Sequence, residues 1–170
     1  MNIFILDEDP VRAAKMQCDK HVPKMCAESA QMLASALRRH GATDEMMPLT
    51  KAGTPYKGGY ANHPCTVWVG DSWVNFNWMI RHAMALCAEY TKRFGDKRHA
   101  CEYPIINMMV TGIMLKFPPV NILTNYAQAL PVELRDQDAV KAYRAYYHTK
   151  HFAKWEKGTD APDWWQGVIV

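Results

Sequence analysis

The sequence predicts an all-α fold, a compact single-domain helical bundle over residues 1–170 with a short extended segment at its N-terminus. Three observations support this. Apolar residues make up 49% of the chain, a composition typical of a globular domain that buries one core. Long segments repeat their polar residues at helical spacing. No internal repeat or linker composition divides the chain.

Helix start and stop residues set the element boundaries. Asp9-Pro10 is typical of a helix start and predicts a short helix to about Gln17. Gly41 and Gly95 follow the basic ends of two long segments, as C-cap glycines do. Further helices are predicted at residues 19–40, 62–69, 72–94, 104–116 and 137–156. Residues 2–6 form a strand or an extended arm, and residues 43–60 form a long polar loop.

Composition excludes several classes of protein. No apolar stretch approaches the roughly 20 residues of a membrane span, and the first residues lack the basic region of a signal peptide. We therefore expect a soluble cytoplasmic protein without a membrane partner. The five cysteines include no C-x-x-C pair, which argues against a zinc ribbon or a thioredoxin-like redox site. Cys18, Cys26 and Cys87 lie in apolar helical segments and are predicted to be buried free thiols in a reducing compartment. The net charge of +3 permits nucleic-acid binding without requiring it.

The first long helix has a narrow polar stripe. His21, Lys24, Glu28, Gln31 and Ser35 recur at spacings of three and four residues, so they share one face. The rest of the helix is small or apolar, which indicates a mostly buried helix whose polar stripe lines a cleft. The alternative is that the stripe is the solvent side, with Lys24 and Glu28 as an ordinary helix pair.

A second helix repeats this pattern. Asn75, His82 and Glu89 are seven residues apart, and Arg93 follows on the same side. If the two stripes face each other, they form a buried polar network that is either a structural tether or a site. The Glu-x-x-His spacing of carboxylate-bridged metal centres is absent, so neither a metal nor a cofactor is predicted.

Two other segments carry residue types that bind substrates. Asn62-His63-Pro64 places a histidine at a helix start, where it either caps the helix or acts as an acid, a base or a phosphate ligand. The last predicted helix interleaves aromatic residues with cations, a pattern that suits stacked bases and phosphates. Its members are Lys141, Tyr143, Arg144, Tyr146, Tyr147, Lys150, Phe152, Lys154, Trp155 and Lys157.

Many of these residues resemble the hallmark of a widespread group of phage-encoded proteins, which implies the host cytoplasm as location. The matching motifs are Cys18-Asp19-Lys20-His21-Val22, Lys24-Met25, Glu28, Ala30-Gln31, Leu33, Asn62-His63-Pro64, Trp68, Ser72, Asn75, Trp78, Glu89-Tyr90, Arg93, Ala142-Tyr143-Arg144, Tyr146-Tyr147, Lys150 and Phe152-Ala153-Lys154-Trp155. They cover nearly the whole chain.

A second resemblance is to the pyrimidine dimer DNA glycosylases of the endonuclease V type. Asp19, His21 and Glu28 reproduce the Asp-x-His and following catalytic Glu of that family, and Tyr143–Trp155 resembles its Tyr-, Lys- and Trp-rich end. The resemblance implies that the free N-terminal amine attacks a sugar carbon and forms a Schiff base. The glutamate would support glycosyl cleavage and strand scission.

The N-terminus departs from this family. There the initiator methionine is removed to expose a small residue, whereas Asn2 is large enough that Met1 is normally kept. The Met1 amine then serves as nucleophile, or this chemistry is lost. An α-amine suits the role, because its ordinary pKa of about 7.7–8.0 leaves it partly neutral near pH 7. Lys20 or Lys24 would need a lowered pKa to replace it.

Two functions follow as hypotheses. The first is an enzyme of N-glycosidic chemistry on DNA or a nucleotide, with Glu28, His21, Met1 and His82 as catalytic residues. The residues expected to contact its substrate are Asp19, Lys20, Lys24, Gln31, Asn62, His63, Asn75, Trp78, Glu89, Arg93, Tyr143, Arg144, Tyr147 and Lys150. The second is a non-catalytic phage protein that binds a nucleotide or a host protein to counter host defence. The sequence leaves the oligomeric state open.

Overall fold

Six α-helices carry the fold in residues 1–169, the part of the chain that the computed structural model describes. They are α1 (Pro10–Lys15), α2 (His21–Arg39), α3 (Pro64–Gly70), α4 (Trp73–Arg93), α5 (Glu102–Met114) and α6 (Ala139–Tyr147). Short 3-10 turns lie at Asp44–Met46 and Val132–Leu134, and no strand forms in the described residues beyond one isolated bridge between Leu49 and Pro55. The predicted all-α class is confirmed.

Polar side chains cap several helix starts, and the predicted Asp9-Pro10 start of α1 is confirmed. The Asp9 carboxylate accepts hydrogen bonds from the backbone of Val11 and Arg12, and Pro10 occupies the first position of α1. The Ser72 hydroxyl caps α4, and Asp138 caps α6. Each cap satisfies backbone donors that the helix itself leaves free, which stabilises a helix start by about 1 kcal/mol.

The long helices α2 and α4 pack against each other at the centre of the bundle. The helix α1 packs on α4, α3 packs on α2, and α5 closes against both long helices. Fully buried Leu33, Leu37 and Leu86 lie in this core. Each such leucine contributes about 1.5–3 kcal/mol through removal of apolar surface from water. The polar stripes are therefore held by two rigid, mutually packed helices.

The N-terminal segment is an extended arm and not a strand. Ile3, Phe4, Ile5 and Leu6 are all at most 5% exposed, so the arm is part of the core. The Asn2 side-chain oxygen accepts hydrogen bonds from the backbone of Ile3 and Phe4. Phe4 has a φ of +58°, which bends the arm away from strand geometry at a conformational cost. The first residues are thus fixed against the domain.

Helix α6 is shorter than predicted, since it ends at Tyr147 and not near residue 156. The backbone beyond it is committed to other partners. The Lys154 carbonyl accepts from the backbone of Asp19, and the Asp19 carboxylate accepts from the Glu156 N–H at 2.6 Å. The Trp155 indole donates to the Met16 carbonyl. These tertiary bonds replace the helical ladder, so the aromatic and basic segment runs along the start of α2.

None of the described helices combines the length and apolar character that a membrane span requires. All five cysteines are buried with free thiols, which confirms the prediction made for Cys18, Cys26 and Cys87.

Candidate active site

The Glu28 carboxylate faces the beginning of the chain. Its Oε2 atom lies 3.8 Å from the Met1 amine and accepts a hydrogen bond of 3.0 Å from the Asn2 backbone N–H. Its Oε1 atom lies 3.6 Å from the Lys24 ammonium. The Glu28 side chain is 15% exposed, so the carboxylate is sheltered but open to a ligand. An amine and a carboxylate within reach of one sugar are the groups that Schiff-base chemistry requires.

Side-chain bonds hold the two N-terminal nitrogens in place. The Asn2 amide donates to the Ala129 carbonyl at 2.8 Å, while its oxygen caps the two backbone groups that follow. The Met1 side chain is 2% exposed, and its sulfur accepts from the Thr66 hydroxyl. The amine is therefore presented on a fixed arm, which lowers the entropic cost of bringing it to a reacting atom.

His21 lies directly behind this arm. Its ring stacks on Phe4 with 4.4 Å between centroids, and its Nδ1 atom is 2.7 Å from the Tyr147 hydroxyl. That hydroxyl also accepts the Cys18 backbone N–H, so it is fully satisfied when it donates its own proton to His21. Burial, with repulsion from nearby lysines, lowers the pKa of His21 to about 3. His21 is thus a neutral, 4% exposed ring that supports the arm.

His63 lies in the electrostatic field of both the Met1 amine and the Glu28 carboxylate. Its Nδ1 atom accepts the Cys65 backbone N–H at 3.2 Å, so it caps α3. Burial and repulsion from the N-terminal amine lower the pKa of His63, and the Glu28 charge opposes this shift. Because Nδ1 is an acceptor, the neutral ring carries its proton on Nε2. His63 therefore combines the capping role with a position in the electrostatic field of the amine and the carboxylate.

Lysine side chains lie at the start of α2 and in the segment after α6. Lys20 and Lys24 are exposed at the start of α2, and the Lys20 ammonium lies 4.5 Å above the Phe152 ring. The Lys150 ammonium lies 3.4 Å above the Tyr146 ring. Phe152 contacts His21 edge-on, which joins this basic and aromatic surface to the back of the arm. Gln31 is half-buried and Asn62 exposed, so both remain available to a ligand.

A separate buried ion network joins the second stripe to the C-terminal segment. Arg93 contacts Glu89 at 2.8 Å and Asp19 at 3.1 Å, with side-chain exposures of 0%, 6% and 10% for the three residues. Its guanidinium also donates to the carbonyls of Lys15 and Gln17. These charges are satisfied by one another and by the backbone, as a structural tether requires.

His82 also lies in the interior, with no exposed surface. Its Nδ1 atom is 2.9 Å from the Pro10 carbonyl, and its Nε2 atom is 3.2 Å from the Gln17 amide, which itself donates to the Ile3 carbonyl. Burial lowers the pKa of His82 to about 4. The prediction that the two polar stripes form a single network is therefore wrong. Among residues 1–169, no hydrogen bond or ion pair joins Glu28 or His21 to His82, Glu89 or Arg93.

The remaining predicted residues hold loops in place. Asn75 is fully buried and bonds the Trp68 carbonyl and both the backbone and side chain of Thr124. Tyr143 is fully buried and bonds the backbone of residues 127 and 129. The Trp78 indole donates to the Glu8 carbonyl, and the half-buried Arg144 donates to the Leu6 carbonyl. Asn75, Tyr143 and Trp78 therefore use their polar groups to hold the backbone, whereas Arg144 also lines a surface pocket with Arg12 and Trp164.

One cluster has metal-binding residue types. Ligand atoms of Cys26, Cys87 and His99 lie within 4.8 Å of one another. The His99 Nδ1 atom already accepts the Cys101 backbone N–H, and a hydrogen bond with Cys87 together with burial raises the pKa of the Cys26 thiol. A metal would have to displace both that bond and the thiol protons. We assign no metal to this cluster, and the expected absence of a metal stays a prediction.

Asn2 and Phe4 were not identified from the sequence, although they position the amine. Asparagine side chains often form hydrogen bonds with the backbone that follows them, so the role of Asn2 before the apolar segment could have been predicted from the sequence. The positive φ of Phe4 has no local sequence mark, because phenylalanine rarely adopts it. Its role becomes evident only from its stacking on His21.

Comparison with known families agrees with this geometry. The family model for pyrimidine dimer DNA glycosylases matches residues 1–103, which include the arm, α1 to α4, Glu28 and His63. The chain has no significant match among curated proteins or solved structures. Because the match covers more than half of the 170 residues, the chain belongs to the pyrimidine dimer DNA glycosylase family.

Proposed function

We propose that this protein is a DNA N-glycosylase with abasic-site lyase activity that works through a Schiff base. The observation that carries the proposal is the placement of two N-terminal backbone nitrogens at 3.0 and 3.8 Å from one oxygen of Glu28. A backbone amine becomes a nucleophile only at the end of the chain, and here that end is held beside a carboxylate.

In the proposed reaction the neutral amine attacks the sugar C1′ atom. The new C1′–N bond forms as the bond between C1′ and the base breaks, and the base leaves with a proton. Opening of the sugar ring then gives the imine. Glu28 accepts the C2′ proton, and the bond between C3′ and its phosphate oxygen breaks. One carboxylate suits both stages, because proton transfer by a positioned side chain accelerates a step by about 10²–10⁴-fold.

Two amines are candidates for the nucleophile. With Met1 retained, its amine needs to move little to reach a sugar that also contacts Glu28. With Met1 removed, the Asn2 nitrogen would become the amine, already in hydrogen-bonding distance of the carboxylate. Lys24 is a third amine, but its ammonium pairs with the other Glu28 oxygen and is 63% exposed.

The lysines and aromatic side chains at the start of α2 and after α6 favour DNA over a free nucleotide as substrate. Lys20, Lys24, Lys150 and Lys154 extend over the start of α2 and the segment after α6, so they offer several phosphate contacts at separate points. Their aromatic neighbours Tyr146 and Phe152 supply flat surfaces for bases. His21 and His82 act in this proposal as positioning residues, and the pKa of His63 responds to the charges of both the amine and Glu28.

Borohydride trapping on an abasic-site duplex tests the proposal. The purified protein should form a covalent adduct, and peptide mass spectrometry should locate it on the N-terminal residue, either Met1 or Asn2. Extending the chain by a Gly-Ser dipeptide before Met1 should abolish trapping while the thermal unfolding temperature stays within about 2 °C. An adduct on Lys24 would overturn the assignment of the nucleophile. DNA binding without any adduct or cleavage would favour the non-catalytic binding protein.

A further inference from the structure

An exposed aromatic side chain lies on the loop that precedes α3. Tyr60 is 70% exposed, and within residues 1–169 its ring makes no aromatic contact and its hydroxyl no hydrogen bond. Its φ is +53°, in the left-handed region that bulky side chains rarely adopt. Such strain costs on the order of 1–3 kcal/mol and persists only where the surroundings enforce it. An apolar ring held in water by a strained backbone contributes nothing evident to stability.

The surroundings of Tyr60 enforce this conformation. The Ser35 hydroxyl donates to the Gly59 carbonyl at 3.0 Å and accepts the Gly59 N–H at 2.8 Å. Gly58 has a φ of +83° and packs so closely on Ser35 that any side chain there would collide with it. On the other side of Tyr60, its carbonyl accepts the backbone N–H of His63. The loop is therefore pinned to α2 and to the start of α3.

This bracing places Tyr60 next to the candidate site. Gln31 and Ser35 follow Glu28 by three and seven residues on one face of α2, which is roughly 5–10 Å along the helix axis. Gly59 lies against both of them. Such a separation corresponds to about one to three base steps along one DNA strand, a range that includes the base next to the damaged one. His63, three residues after Tyr60, lies in the field of the amine and Glu28.

We propose that the Tyr60 ring is a stacking site for a nucleobase, occupied by a base that neighbours the damaged or missing one in duplex DNA. This inference rests on the proposed function, and it names the residue that contacts the stacked bases beside the damaged position. Aromatic rings stack on any base, because every base has a π-face, and removal of a base leaves a gap into which a ring fits. Because the backbone on both sides of Tyr60 is already braced, the loop itself loses little conformational entropy on binding.

The test compares Tyr60→Asn with Tyr60→Phe and with Tyr103→Asn. Asparagine tolerates a positive φ, so Tyr60→Asn removes the ring and relieves the backbone strain. Tyr60→Phe keeps the ring and removes only the hydroxyl. Tyr103 is a matched control, 62% exposed on α5. The probe is a duplex with one abasic site beside a 2-aminopurine, whose fluorescence reports stacking.

Tyr60→Asn should weaken binding to this duplex about 10- to 100-fold and remove the fluorescence change, the loss expected for one base–aromatic stack. Its thermal unfolding temperature should equal or exceed that of the wild type. Tyr60→Phe and Tyr103→Asn should stay within threefold of wild-type affinity. Wild-type affinity in Tyr60→Asn, or an equal loss in Tyr60→Phe, would overturn the stacking site. If the wild type binds and alters the fluorescence but forms no borohydride adduct, the lyase proposal fails and the stacking site stands.

Discussion

One oxygen of Glu28 lies 3.0 Å from the backbone nitrogen of Asn2 and 3.8 Å from the amine of Met1. The carboxylate therefore holds the arm by a hydrogen bond while it faces the group proposed as nucleophile. These two roles are separable by substitution, because a glutamine keeps a hydrogen-bond acceptor for Asn2 and loses the ability to accept a proton from a sugar carbon.

Glu28→Gln should lower strand cleavage at an abasic site by at least about 100-fold, since it removes the proposed base. The free energy of unfolding should change by less than about 1 kcal/mol, because the bond to Asn2 remains possible. Cleavage assays and urea denaturation measure the two quantities. Glu102→Gln is the control, a carboxylate on α5 with 17% exposure against 15% for Glu28. Cleavage within tenfold of wild type would contradict the assignment of Glu28.

The buried histidines predict a pH-dependent stability. The pKa of His82 falls from an ordinary 6.5 to about 4 on folding, so between these values the unfolded chain binds more protons than the folded one. The free energy of unfolding should decline as the pH falls from 6.5 toward 4. His82→Gln should be destabilised at pH 7, and the difference from wild type should narrow toward pH 4.

Urea denaturation at pH 7, 6, 5 and 4 measures this difference. His151→Gln is the control, because His151 is exposed and its replacement should leave the pH profile unchanged. His21, whose pKa falls to about 3, contributes to the wild-type decline over the same window and remains in both proteins. A constant difference between wild type and His82→Gln at all four pH values would show that His82 does not resist protonation in the fold.

The helices and one carboxylate of the site could be predicted from the sequence. A surface helix has a wide polar face, whereas α2 is mostly apolar with a narrow polar stripe, so the sequence indicated a buried helix. Glu28 lies on that polar stripe, at the candidate site. The separation of the two stripes could not be predicted. His82 and Gln17 bond across a long interval of chain, and helical spacing shows which residues share a face without showing which face meets which neighbour.

The helix predicted over residues 137–156 was too long for a related reason, since α6 ends at Tyr147. Residues 148–156 have the composition of a helix, but the backbone of Lys154 and Glu156 bonds to Asp19, which the sequence places far away. Tertiary contacts override local propensity in such cases. The strained positions Phe4 and Tyr60 have no sequence signal, since a positive φ at an aromatic residue is enforced by neighbours and not by its own preference.

Arg93 should be essential to stability and not to chemistry. Arg93→Met leaves the buried carboxylates of Asp19 and Glu89 without their partner, and breaking a buried pair in this way costs about 3–5 kcal/mol. Urea denaturation should report this loss. Arg12→Met is the control, because the Arg12–Asp7 pair involves a 65% exposed cation whose interaction is screened by solvent and contributes little to stability. A loss in Arg93→Met no larger than in the control would contradict the tether.

DNA binding should weaken steeply with salt, because each lysine that neutralises a phosphate releases counterions. Lys150→Ala and Lys154→Ala should each reduce affinity for DNA of any sequence and lower the slope of log affinity against log salt by about 1. Lys154 pairs with exposed Glu156, and Lys150 lies over Tyr146, so both ammonium groups can turn to a phosphate. Lys141→Ala is the control, since Asp136 already holds that ammonium at 3.0 Å. Titration of a fluorescent duplex from 50 to 200 mM salt measures the slope. An affinity that does not respond to salt would leave the lysines without a polymer to bind, and a single nucleotide or a protein partner would then be the better ligand.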